Sequence, residues 1–303
     1  YNVGASILQS VGDSRSPMLY LITASILNVV LDLWFIAGLH MGVGGAALAT
    51  IISQTVSALL AFRKLTLSKE AYGVRWREVR FHGPTLRAVV VQGVPSGIQN
   101  SVISIANVIV QANINAFGAN AMAGCGAYSK VEGFAFLPVT CFAMALATFV
   151  SQNIGAGKLD RVRRGMRFSI VTSSLLAECV GVAMFALAPL LIAAFNQEPD
   201  VIAFGVRQAR TVSLFYCLLA FSHCCAGILR GLGRPVVPMA IMLAVWCALR
   251  ITYITITVHF IPQISVIFWA YPLTWTISSL LFAWYLTHCP MPSPGGGAQQ
   301  HPA

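Results

Sequence analysis

The chain has 303 residues, of which 57% are hydrophobic and only 9% charged, and its mean hydropathy is +0.76. Soluble globular proteins carry about 25% charged residues, so this composition excludes that class and is typical of helical membrane proteins. The net charge of +10 does not indicate nucleic-acid binding, because nearly all the basic residues lie in loops between apolar segments and form no basic motif. The cysteines have no metal-ligand spacing, so no metal or organic cofactor is expected.

The apolar segments predict nine helices joined by turns. The first is the end of a helix at 1–12, and the others run over about 17–39, 42–62, 86–117, 119–154, 162–195, 200–231, 235–259 and 264–287. We therefore predict an all-α polytopic membrane protein divided into four parts. These are a first transmembrane part (1–65), a basic linker (66–85), a second transmembrane part (86–289) and a disordered tail (290–303).

Loop charges predict the orientation of the helices. The segments 63–87, 158–167 and 230–234 are basic, whereas the loops between them carry no Lys or Arg. Because Lys and Arg accumulate on the cytoplasmic side of membrane proteins, the basic loops are expected inside the cell. The C-terminus is then cytoplasmic, and the protein is multi-pass in the inner (plasma) membrane.

Two parts of the chain repeat at a constant spacing. The hexapeptide at 7–12 (ILQSVG) recurs at 228–233 (ILRGLG), an offset of 228 − 7 = 221, and segments 55–60 and 276–281 share that offset. Because the offset persists across two helices in the same predicted orientation, it favours a parallel repeat over chance similarity. The repeat predicts two six-helix lobes. This chain would hold the end of helix 4 through helix 12, with roughly 135 residues upstream of Tyr1.

Asn28 and Asp32 form the most unusual polar pair in the sequence. They lie four residues apart in an otherwise apolar segment, so a helix places them on one face. An ionisable group inside a membrane is costly and is a functional candidate. At the 221 offset their partners are Leu249 and Tyr253, so one copy of the fold lacks the pair. This favours function over a packing hydrogen bond, which stays the alternative.

Four motifs resemble those of the multidrug and toxic compound extrusion (MATE) transporters. They are ILQSVGDSRSP at 7–17, LNVVLD at 27–32, GGAALAT at 44–50 and SQNIGAG at 151–157. The resemblance covers the chain from Tyr1 to about His288. It implies two six-helix lobes around a cavity that opens alternately to either side. It also implies secondary active export of cationic or amphipathic compounds by antiport with H⁺ or Na⁺, and no enzymatic activity.

The resemblance also implies roles for individual residues. The family's proton-coupled branch carries an Asn and an Asp on the fifth helix and a Thr on the sixth, which correspond to Asn28, Asp32 and Thr50. The acid on the family's first helix has no counterpart in this chain. The sodium-coupled branch carries acids on the seventh and tenth helices, whereas the predicted helices 86–117 and 200–231 hold none beyond Asp200 at an outer edge. This departure favours coupling to H⁺ through the first lobe.

Several further polar residues are candidates for the substrate cavity. They are Gln54, Gln99, Asn107, Gln111, Lys130 and Glu132. The three residues on the predicted helix 86–117 belong to a polar stripe, and such a stripe usually faces the bundle interior. For all six, packing between helices is the alternative.

Three charged residues lie within apolar segments of the second part. Lys130 and Glu132 are two residues apart and cannot share a helix face, so each needs its own partner or a water-filled cavity. Arg250 lies deep enough in its helix to need an anionic partner, which the sequence does not identify.

Two other functions stay open. One is a flippase of the same superfamily that moves a lipid-linked saccharide, and the other is an inactive fragment. A membrane enzyme is disfavoured, because no His-x-x-x-His, His-Glu-x-x-His or Ser/His/Asp set lies at one membrane depth. We expect a monomer whose partners are small cationic or amphipathic molecules and the lipid bilayer.

Overall fold

Nine helices account for most of the residues in the computed structural model, which describes residues 1–68, 70 and 72–288 apart from the Trp76 side chain. In chain order they are α1 (Asn2–Ser10), α2 (Arg15–Gly38), α3 (Gly42–Leu67), α4 (Gly83–Asn115), α5 (Ala119–Gly155), α6 (Leu159–Ala193), α7 (Pro199–Gly231), α8 (Val236–Phe260) and α9 (Ile264–His288). These residues include no β-strand. The all-α prediction is confirmed, and the predicted tail at 290–303 lies outside the described residues.

The internal repeat is present in the positions of the helix ends. The turn between α1 and α2 lies between Ser10 and Arg15, and the turn between α7 and α8 lies between Gly231 and Val236. The offsets are 231 − 10 = 221 and 236 − 15 = 221, which equal the sequence offset. Each turn contains a glycine with positive φ, Gly12 at 92° and Gly233 at 75°. Only glycine adopts this backbone without a steric penalty, so the repeat conserves the shape of the turn.

Seven helices, α2, α3 and α5–α9, are long and apolar enough to cross a membrane. Large apolar side chains such as Phe134, Phe168, Leu175 and Leu190 lie on their outer surfaces. Exposed apolar area of this extent would be unfavourable in water and is expected where a helix faces lipid.

Two helices are not among these seven. α1 has nine residues, too few to span a bilayer. α4 has 33 residues, but amide side chains such as Gln99, Asn100 and Asn107 interrupt its apolar sequence. Its polar stripe therefore sets it apart from the other long helices.

The chain divides into two compact units, Tyr1–Gly83 and Pro84–Ala303. In the first unit, α1 and α2 both pack against α3. In the second unit, α5 packs against α6 and α7, while α9 packs against α7 and α8. The largest apolar core of the second unit lies among α5–α9 and includes Tyr128, Tyr216, Trp246 and Trp275.

An ion pair joins the two ends of the hairpin formed by α2 and α3. Lys64 Nζ donates to Asp13 Oδ2 at 2.7 Å and to Ser16 Oγ at 2.6 Å. The backbone N–H of Ser16 donates to Asp13 Oδ1 at 3.0 Å. The Lys64 hydrogen bond, followed by those of Ser16, lowers the pKa of Asp13 from 3.8 to about 2. α3 ends at Leu67, beyond its predicted end at 62, and its last turn thereby carries Lys64 to Asp13.

Two glycines let α7 approach α5 closely. Gly227 and Gly231 are four residues apart and form a Gly-x-x-x-Gly sequence. A Cβ atom at either position would overlap the backbone carbonyl oxygen of Ala143 or Ala147. Small residues at this spacing allow helix backbones to pack tightly inside a membrane.

Replacing one of these glycines should weaken the α5–α7 contact. We expect Gly227→Ala to destabilise the protein by about 1–3 kcal/mol, because the added methyl group meets backbone that cannot move away. Thermal unfolding in detergent measures this effect. Gly126→Ala on α5 is the control, because a Cβ there has no neighbour within 4 Å. Equal melting temperatures for the two variants would contradict the proposed close packing.

The ion pair of Asp13 should make stability depend on acid pH. Because the folded-state pKa lies below the ordinary 3.8, the contribution is complete well above that value and is lost as pH falls towards 2. We expect Asp13→Asn to cost up to about 1 kcal/mol at neutral pH, since the pair is partly exposed. The difference in melting temperature from wild type should shrink in acid. A difference that persists unchanged at acid pH would contradict this account, and Glu78→Gln in the exposed Arg75–Glu78 pair is the control.

Candidate functional site

In the first unit, the second half of α2 carries the polar pair Asn28 and Asp32. Asp32 is the last regular α-helical residue, and a π-helical segment, Leu33–Gly38, follows it. Asn28 Nδ2 and Asp32 Oδ1 are both buried and have no hydrogen-bond partner within the part of the chain that the structure describes. Buried polar atoms are rarely left unpaired, because each lost hydrogen bond costs about 1–3 kcal/mol. The pair is therefore available to bind a proton, an ion or another side chain.

The two polar residues of α3 differ from this pair. The Thr50 hydroxyl donates to the carbonyl oxygen of Ala46 at 2.9 Å, within its own helix. Gln54 and Thr50 are both exposed in the first unit. The structure shows no hydrogen bond from either side chain to Asn28 or Asp32.

The second unit contains a cavity of about 570 Å³. Helices α4, α5, α7, α8 and α9 all contribute to its lining. The acidic and basic residues in the lining are Glu132, His223, Arg230 and Arg250. A cavity of this volume is in the range that holds drug-sized molecules.

Arg250 is the most deeply buried charge in this cavity, with an exposed fraction of 2%. Its Nε and Nη2 atoms both donate to Thr274 Oγ1, at 3.3 and 2.8 Å. The guanidinium lies 4.5 Å from the ring centre of Tyr271 and 5.6 Å from that of Trp246. Cation–π contacts offset part of the cost of burial. Among the described residues, no carboxylate forms an ion pair with Arg250.

A network of serines fixes the orientation of Trp246 at the cavity wall. Trp246 Nε1 donates to Ser278 Oγ at 3.0 Å, and Ser278 and Ser222 are hydrogen-bonded at 3.0 Å. Ser279 joins the network and donates to the carbonyl oxygen of Leu218 at 3.1 Å. These contacts connect α7, α8 and α9 through buried hydroxyls, which hold membrane helices together.

His223 lies in contact with two aromatic rings of the same wall. Its ring centre is 5.0 Å from that of Phe136 and 5.4 Å from that of Trp246. His223 Nε2 is buried and has no hydrogen-bond partner among the described residues. The structure places His223 in the cavity lining.

Glu132 is the carboxylate of the cavity lining. Tyr128 Oη donates to Glu132 Oε1 at 2.8 Å, and Tyr128 and Tyr216 are joined at 3.1 Å. Lys130, two residues earlier, is exposed, and its Nζ lies 5.5 Å from the ring centre of Phe195. The two side chains therefore occupy different faces of α5, and only Glu132 lines the cavity.

The amide stripe of α4 enters the cavity in part. Gln99 and Asn107 line it, and Gln99 Nε2 donates to Met242 Sδ at 2.7 Å while its Oε1 atom is unpaired. Gln111 does not line the cavity, and its Nε2 donates to Asn115 Oδ1 at 2.9 Å. One part of the stripe therefore lines the cavity, and another part forms a hydrogen bond within α4.

The internal repeat distinguishes Arg250, which belongs to none of the four family motifs. At the 221 offset Arg250 corresponds to Val29, so one copy of the fold has an apolar residue where the other has a buried cation. A π-helical segment, Leu243–Leu249, ends directly before Arg250. π-Helical segments occur frequently at functional sites. In each unit, one such segment adjoins the buried charge.

Comparison with known proteins identifies the family. The MatE family model matches residues 95–256, more than half of the chain. Probable multidrug resistance protein NorM of Thermotoga maritima is 31% identical over 253 residues, which cover 81% of this chain and 54% of that protein. The chain belongs to the MATE family. Members of this family are transporters rather than enzymes, which with the seven apolar helices makes this a multi-pass membrane protein.

Other MATE proteins agree with this assignment. Probable multidrug resistance protein YpnP of Bacillus subtilis is 27% identical over 256 residues, covering 82% of this chain and 56% of that protein. An outward-facing structure of a multidrug resistance MATE family transporter superposes with a TM-score of 0.86 at 22% identity, covering 94% of this chain and 65% of the other. This likeness shows the MATE fold. The chain spans about half the length of the curated relatives that it matches.

Proposed function

We propose that this chain is part of a secondary active exporter of small amphipathic molecules, coupled to inward movement of H⁺. The observation that carries the proposal is Asp32, because neither its buried Oδ1 atom nor the Nδ2 atom of Asn28 has a hydrogen-bond partner among residues 1–68, 70 and 72–288. The names of the relatives NorM and YpnP, both probable multidrug resistance proteins, support small-molecule substrates.

In the proposed mechanism, Asp32 carries the coupling proton. A protonated Asp32 is neutral and can donate a hydrogen bond to the side-chain oxygen of Asn28. An ionised Asp32 can only accept hydrogen bonds, and its charge needs water or a donor. The two protonation states therefore favour different surroundings for the end of α2, and alternating between them couples proton entry to substrate release.

The π-helical segment after Asp32 is the part of α2 that we expect to change conformation when Asp32 gains or loses its proton. The hydrogen-bond pattern of Leu33–Gly38 differs from that of the α-helix before it, and a return to α-helical bonding would rotate the flanking residues. Thr50 on α3 belongs to the proposed site through the family resemblance alone, since its hydroxyl is bonded within its own helix. Na⁺ is the alternative coupling ion.

We also propose a membrane location and an orientation for the protein. We place the basic loops and the C-terminus in the cytoplasm and the chain in the inner (plasma) membrane, on the basis of the alternation of loop charges. The linker 66–85 then joins two transmembrane parts on the cytoplasmic side. We propose that the protein acts as a monomer.

Removing the titratable group should uncouple transport. We expect Asp32→Asn in the full-length protein to abolish efflux driven by a pH gradient, because an amide cannot carry the proton. Fluorescent substrate movement in proteoliposomes with an imposed pH gradient measures this effect. Asp200→Asn, an acid-to-amide change at the exposed start of α7, is the control and should leave efflux intact. Wild-type efflux in the Asp32→Asn variant would overturn the proposed role.

A lipid-linked saccharide flippase is the second candidate function from the same superfamily. Proteoliposomes distinguish the two, because a drug exporter moves a soluble fluorescent compound whereas a flippase moves a labelled lipid between leaflets. Lipid movement without drug movement would favour the flippase.

A further inference from the structure

We propose that the cavity of the second unit binds the anionic group of an amphipathic aromatic compound, with Arg250 as the ligand to its carboxylate or phosphate oxygens. This inference rests on the proposed transport function and names the substrate class of its second unit. It departs from the cationic substrates that the family resemblance implies.

First, Arg250 has hydrogen-bond donors that no group among the described residues uses. A guanidinium has five N–H donors in a planar fork that matches an oxyanion. Two of the donating nitrogens of Arg250 form hydrogen bonds within the described part of the chain, and both contact the single hydroxyl oxygen of Thr274. A cation that is 2% exposed and has no carboxylate partner among the described residues is costly to bury. An anionic ligand would supply the missing partner.

The second step is the charge of the cavity lining. Arg230 and Arg250 contribute two guanidinium groups, and Glu132 contributes one carboxylate. The hydroxyl of Tyr128 already donates to Glu132 at 2.8 Å, so this acid has a protein donor, whereas no carboxylate among the described residues lies within ion-pair distance of Arg250. The fixed charges therefore favour an anion over a cation.

The third step is the aromatic wall beside the guanidinium. Phe136, Trp246, Tyr271 and Trp275 line the cavity. The serine network fixes Trp246, and Tyr271 and Trp275 contact each other with ring centres 5.9 Å apart. Rigid aromatic rings next to a cation suit a ligand that combines a flat apolar body with an acidic group.

The fourth step is the set of unpaired polar atoms in the same lining. His223 Nε2 and Gln99 Oε1 are both buried and find no hydrogen-bond partner among the residues that the structure describes, and both residues line the cavity. A bound molecule can satisfy them, with its oxygen accepting from His223 or its N–H or O–H donating to Gln99. Buried polar atoms left open in a cavity point to a ligand that completes them.

Two fluorescent probes of similar size and opposite charge test the substrate class. Fluorescein is an aromatic carboxylate and ethidium is an aromatic cation. Binding of each to the purified full-length protein is measured by fluorescence polarisation in detergent, with no ion gradient present. We expect wild type to bind fluorescein at least about tenfold more tightly than ethidium, because the fixed charges of the cavity attract the anion.

Four variants locate the binding. Arg250→Gln should weaken fluorescein binding about tenfold or more, and Arg250→Lys should recover part of this loss by restoring the charge without the fork. Glu132→Gln should leave fluorescein binding unchanged or tighter. Arg210→Gln removes an exposed arginine of α7 that stacks on Phe185 outside this cavity, and should have no effect.

Opposite results overturn the inference. Unchanged fluorescein binding in Arg250→Gln would do so, as would tighter ethidium binding that is lost in Glu132→Gln. If Arg250→Gln does not fold, Glu132→Gln and Arg250→Lys decide, since weaker fluorescein binding in Glu132→Gln contradicts the proposed charge balance.

Failure of the inference is separable from failure of the proposed function. Fluorescein bound through Arg250 without gradient-driven transport of either probe would overturn the transport proposal alone. Ethidium efflux that depends on Asp32, together with no fluorescein binding, would overturn the anion site alone.

Discussion

A guanidinium buried among apolar helices is the constraint on which the second unit depends. Arg250 has little contact with water at 2% exposure, and burial of a charge that has no ion-pair partner among the described residues is costly inside a membrane protein. Its neighbours therefore have to be held in place. Thr274 accepts its hydrogen bonds, Tyr271 stacks on it, and hydrogen bonds from Trp246 to the serine network secure the other ring. The Gly-x-x-x-Gly contact of α7 with α5 brings the remaining cavity wall close.

The two units share the geometry of a turn between helices but carry different buried polar residues. Equal helix ends at the 221 offset show that both share the turn geometry, yet their buried charges differ in sign and position. Asp32 precedes a π-helical segment in α2, and Arg250 follows one in α8. Polar residues that occur in only one copy of the repeat distinguish what the scaffold requires from what each unit adds. By this criterion Asp32 serves the coupling ion and Arg250 serves the ligand in the proposed transporter.

The sequence predicted the helices, the repeat and the class of protein, because membrane helices are encoded by local hydropathy and by loop charge. The two-residue spacing of Lys130 and Glu132 also predicted that they lie on different faces. The hydrogen-bond partner of a side chain could not be predicted where that partner lies far away in the sequence. Gln99, for example, donates to Met242, 143 residues away. The sequence predicted no partner for Arg250, because a pattern of charges can indicate only an acidic partner. The contacts of Arg250 are instead aromatic rings and a hydroxyl group. Comparing it with its apolar repeat partner Val29 would have singled it out.

Diffraction from crystals of the full-length protein soaked with triiodobenzoate, an aromatic carboxylate with three heavy atoms, tests the central claim most directly. Anomalous peaks from iodine give the position of the ligand without assuming where it binds. The account predicts peaks inside the second-unit cavity, among Trp246, Tyr271 and Trp275, with the carboxylate against Arg250. Peaks confined to sites outside this cavity, with the guanidinium of Arg250 still bound only to Thr274, would contradict it.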